Sequence, residues 1–72
     1  MTKIKAINIL SKEIASQVQS NFYSGAMSSW YGVPLAHFGK AIALIYGGDE
    51  ITIQGQIETK AEKIVKKWMK SK

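Results

Sequence analysis

Glu50-Ile51-Thr52-Ile53-Gln54-Gly55-Gln56-Ile57-Glu58, running on into Thr59-Lys60-Ala61-Glu62, is the stretch on which the fold turns. Ile51, Ile53 and Ile57 alternate on one face, and three β-branched residues run together, both strand signals. Yet Ile53, Ile57, Ala61, Ile64 and Trp68 also form a helical stripe continuing to the end, with Asp49 as cap and Gly55 costing about 1 kcal/mol. A lone strand at 50–57 cannot satisfy its backbone without a partner. The only candidate within the chain is Lys3–Ile9, so the two strand readings stand or fall together unless a second copy supplies the partner. Downstream, Thr59 and Glu62 have the spacing of a capping box and predict a helix start at 59. Ala61, Ile64, Val65, Trp68 and Met69 form its apolar face, with Lys60, Lys63, Lys66, Lys67 and Lys70 around it.

Working towards the N-terminus, Pro34 suits a first helical position, because its missing N–H is unpaired there anyway. Leu35, Phe38, Ile42 and Ile45 follow at helical spacing, and Gly47-Gly48 ends that helix. Residues 23–33 are uncharged and rich in small and aromatic side chains. They read as a loop, or as a short helix from Ala26 to Tyr31. Before them, Ile4, Ile7, Leu10, Ile14, Ala15, Val18 and Phe22 make one helical stripe that Thr2 can cap. The competing reading is a strand at 3–9 with a helix capped by Ser11. The expected fold is mainly α: a small three-helix single domain over 1–72, with helices at about 3–22, 34–46 and 59–71. It becomes α+β if 3–9 and 50–57 pair.

With 72 residues and no cysteine, the chain lacks disulfides to supplement a small core, so it needs well-packed helices, a ligand or a partner subunit. No apolar run approaches the ~20 residues of a membrane span, and Met1–Lys5 lacks a signal-peptide core. The cytoplasm is the simplest compartment. Ten basic residues against five acidic ones leave a net charge of +5, and every basic residue is lysine. Lysine holds phosphate as a point charge but lacks the planar fork with which arginine reads guanine. Catalysis has little to work with. Asp49-Glu50 sits at a turn, His37 has no acidic neighbour in sequence, and Gly47-Gly48 follows a helix instead of opening one. The expectation is a non-enzymatic, homo-oligomeric binding protein with no cofactor and no metal.

Two surfaces are candidates. Lys60, Lys63, Lys67 and Lys70 recur at three, four and three, a basic ridge suited to a phosphate backbone and hence to nucleic acid. A solvated helix face is the bland alternative. The second surface is Tyr23, Ser28, Ser29, Trp30 and Tyr31, rigid aromatic area beside adaptable hydroxyls. His37 and Lys40 lie beyond it on the helix that Pro34 opens. It would suit an acidic protein or a small phosphorylated ligand such as a nucleotide, or a homo-oligomer interface. Ser11-Lys12-Glu13-Ile14-Ala15-Ser16-Gln17-Val18 resembles the first helix of a helix-turn-helix, with Ser24–Tyr31 in the place of the second and Met27 and Trp30 facing inward. That resemblance implies DNA binding, though Gln19 stands where the turn glycine belongs and the second segment has no lysine. In size and charge the chain is similar to accessory and inhibitory proteins of mobile elements, an analogy only.

Overall fold

The computed structural model describes residues 1–25 and 28–70. They form three helices, α1 (Lys3–Ser24), α2 (Leu35–Tyr46) and α3 (Glu50–Lys70), with no strand among the described residues. Lys3–Ile9 and 50–57 are both helical, so the α+β alternative is not taken. The predicted start at 59 is corrected as well: α3 begins nine residues earlier, and the Thr59–Glu62 pair lies inside it, both side chains exposed. The reason is local. The Asp49 carboxylate accepts from the Thr52 backbone N–H and hydroxyl, each at 2.9 Å, which starts the helix at Glu50. Ile53 and Ile57 then fall in phase with Ala61, all three fully buried.

The first helix is longer than expected by two residues. Thr2 caps it by accepting from the Lys5 N–H at 3.2 Å, and Gly25, at φ +77°, ends it in the left-handed region that glycine enters freely. Because α1 runs unbroken through Gln19 to Ser24, there is no helix-turn-helix here. Residues 28–34 contain turns and no helix, so the described part of the expected short helix, 28–31, is not helical. The Asn21 side-chain amide donates to the carbonyls of Ser29 (2.9 Å) and Tyr31 (2.8 Å), drawing this loop back over the end of α1. Ala26 and Met27, the latter expected to face inward, lie outside the described residues. Pro34 is the N-cap of α2 and not its first residue.

α3 is the central element and packs against both other helices, which meet each other over a shorter contact. α1 and α3 run the same way: Lys3 lies beside Gly48 near the start of α3, Asn8 faces Lys60, and Val18 shares a groove with Val65. α2, which connects them in sequence, runs antiparallel to both. The buried apolar side chains are Ala6, Ile7, Ile14, Ala15, Val18, Ile42, Ile53, Ile57 and Ala61. Small residues set the helix spacing. Ser11 and Ala15 on α1 and Ile57 and Ala61 on α3 are all wholly buried, and Ser11 satisfies its hydroxyl by donating to the Ile7 carbonyl at 2.6 Å. Three members of the predicted stripes lie outside this core: Ile4 is 69% exposed, Phe22 53% and Ile45 72%. Ile4 and Phe22 belong to the end turns of α1, where no facing helix covers them, and Ile45 points away from α3.

Candidate nucleic-acid interface

The lysine ridge flanks the seam between α1 and α3. Asn8, Ser11, Lys60, Lys63 and Ile64 line a shallow groove there, and the Lys60 ammonium donates to the Asn8 side-chain oxygen at 2.7 Å. Lys60 is half-buried and held in place, while Lys63, Lys67 and Lys70 are exposed. Their spacing spans about 15 Å of α3 at 1.5 Å per residue. Lys12 lies one turn beyond Asn8 on the same side of α1, and Lys5 lies a turn before it; both are exposed. Sequence reading missed these two. Nothing in α1 alone marks them, and only the parallel pairing of α1 with α3 brings them to the ridge.

All five acidic residues are elsewhere. Glu13 lines a groove towards α2 with Pro34 and Phe38. Glu62 lies with Trp30 and Val65 on the other flank of α3, and Glu58 is one turn before it on that flank. Asp49 and Glu50 form the start of α3. Asp49 has its acidity strengthened below the ordinary value, chiefly by the backbone hydrogen bond from Thr52 and then by the Thr52 hydroxyl. The α1–α3 face is therefore basic without internal neutralisation, and Lys66, which borders the Trp30 groove, is the α3 lysine turned away from it.

The aromatic candidates differ in how far they are buried. Trp30 is half-buried and packs against the core. Tyr31 is 72% exposed and Tyr23 56%, the latter edge-on to Phe22 with ring centroids 5.5 Å apart. The Ser28 hydroxyl accepts from the Trp30 N–H at 3.2 Å, and the Ser29 carbonyl is held by Asn21. Both serines contribute to the loop's own hydrogen bonding. At the start of α2 the Leu35 N–H is taken by the Val33 carbonyl at 2.9 Å. His37 and Lys40 are exposed on the outer side of α2, apart from Tyr23 and Tyr31 in sequence and element.

No helix of the described residues is long and apolar enough to cross a membrane. No protein-family model matches the chain, and neither do the curated proteins or the solved structures with which it was compared.

Proposed function

We propose that this chain is a nucleic-acid-binding accessory or regulatory protein that grips phosphates through the α1–α3 face, with Lys63, Lys67 and Lys70 as the principal contacts, Lys60 and Lys12 beside them, and little base readout. The observation that carries the reading is the segregation of charge: lysines from two helices share one face, and all five acidic side chains lie off it. A ridge of about 15 Å matches roughly four phosphates along one strand at 3.4 Å of axis each. Lysine contacts position a protein on a backbone without specifying bases. The aromatic alternative, a protein- or nucleotide-binding module, has less to draw on, since Trp30 is engaged by the core.

Binding to a labelled random duplex and to a single strand, measured over a salt series, tests this. Five phosphate contacts predict a log–log slope up to about −4.5 for duplex, and Lys63→Ala with Lys67→Ala should reduce its magnitude by about 2. No binding at low salt, or binding that the double variant leaves unchanged, would overturn it.

A further inference from the structure

Gly55 stands on the exposed side of α3, inside a helix, where glycine is the least favoured residue after proline. Packing does not require it, since a Cβ there meets nothing within 4 Å. Its effect is to leave a notch. Thr52, Gly55, Gln56, Thr59, Lys60 and Lys63 line an open groove of about 460 Å³, and Lys60 and Lys63 also line the α1–α3 groove of the ridge. The two grooves therefore meet at those lysines. Gln56, Thr59 and Lys63 are exposed and have no hydrogen-bond partner among the described residues. No carboxylate is among the lining side chains. Glu58 and Glu62 follow Gly55 and Thr59 by three residues and so border the far side of the groove. Across α3, starting from α1, come lysines, then neutral hydroxyl and amide groups around the notch, then two carboxylates.

We infer, resting on the phosphate-binding reading above, that the ligand of this face is single-stranded nucleic acid, with its phosphates on the lysine ridge and its bases turned over the Gly55 notch towards Glu58 and Glu62. Phosphates and carboxylates repel, so a strand lies here only with its backbone on the lysine side. The amino groups of cytosine, adenine and guanine are donors, and a carboxylate accepts from them. A single strand has one row of phosphates and free Watson–Crick edges. A duplex fits this layout poorly, because its pairing edges are used up. With α3 in its major groove, a second row of phosphates would meet Glu58 and Glu62, where Lys66 is the cation available on that flank. The missing side chain at 55 lets sugar and base approach the helix closely. Asp49, which holds Thr52, ends the phosphate path at the start of α3. No aromatic ring lines the groove, so discrimination rests on hydrogen bonds and not on stacking. Thymine, which lacks an amino group, is the base held least.

The test is fluorescence anisotropy of the full chain with labelled oligo-dC, oligo-dT and a mixed-sequence duplex of equal length, at low salt and neutral pH. Charge alone favours the duplex, whose phosphates are denser. Oligo-dC should instead bind more tightly than the duplex, and about five-fold more tightly than oligo-dT. Gly55→Gln fills the notch at a position with open space around it. Its helicity by circular dichroism should be kept, its affinity for oligo-dC should fall about ten-fold, and its duplex binding should hardly change. Glu58→Ala with Glu62→Ala adds net positive charge, so duplex binding should strengthen, yet the preference for oligo-dC over oligo-dT should vanish. The wild-type comparison and this glutamate pair decide the matter if Gly55→Gln fails to fold. A duplex bound at least as tightly as oligo-dC overturns the inference and leaves phosphate binding standing. So does an oligo-dC affinity indifferent to a folded Gly55→Gln, or a base preference that survives the glutamate pair. Absence of binding to every probe removes both readings.

Discussion

At the scale of single residues, two glycines inside helices have opposite reasons to be there. A Cβ on Gly39 would sit 2.9 Å from the Glu50 carbonyl oxygen and 3.1 Å from the Gln54 Cβ, where α2 crosses α3. The first neighbour is helix backbone and cannot step aside. A Cβ on Gly55 would meet nothing within 4 Å. Gly55→Ala should therefore stabilise by roughly 0.5–1 kcal/mol, the ordinary helix-propensity gain. Gly39→Ala should destabilise by about 1–3 kcal/mol, because overpacking outweighs that gain. Thermal unfolding checks both: for a domain of this size 1 kcal/mol moves the midpoint by about 4–8 °C. Equal effects of the two substitutions would refute the close α2–α3 crossing.

Among the elements, α3 depends most on how it starts. Asp49 holds the Thr52 N–H at a point where the helix must extend to Glu50 instead of beginning at 59. Its carboxyl is more acidic in the folded chain than its ordinary value of 3.8. A depressed folded pKa contributes stability that is fully present above the unfolded pKa and lost as pH falls through the folded value. Asp49→Ala should therefore lower the melting temperature at neutral pH, and its gap from the wild type should narrow as pH drops well below 3.8. Melting curves of the two proteins at both pH values measure this. A gap that widens in acid would contradict the assigned hydrogen bonds. The exposed flank of α3 carries the lysines, and the Asp49 and Glu50 carboxylates at its start with Lys67 and Lys70 in its last turn both suit the helix dipole.

For the whole molecule, the parallel pairing of α1 with α3 decides which lysines can act together. Lys12 and Lys66 are both exposed, but Lys12 borders the ridge while Lys66 borders the Trp30 groove on the other flank of α3. In the salt series Lys12→Ala should lower the magnitude of the duplex slope by about 1, and Lys66→Ala should leave it nearly unchanged. Equal losses would mean that binding follows net charge and not the face.

The helical content, the span of α2, the Thr2 cap and the lysine ridge at 60, 63, 67 and 70 were legible in the amino-acid order, because each depends on spacing within one segment. The continuity of α3 was also written there, in the phase of Ile53, Ile57 and Ala61, although capping-box and β-branched signals competed with it. Local chemistry could not choose between them. Packing chose, since in the helix both isoleucines reach the core while Ile51, the third member of the alternating set, stays exposed. The contribution of Lys12 and Lys5 to the basic face and the bare outer side of α2 came only with assembly. Each of these depends on which side of a helix its neighbours cover. A stripe of apolar residues states that a helix has a buried side, but the width of that side is set by where the other two helices lie across it.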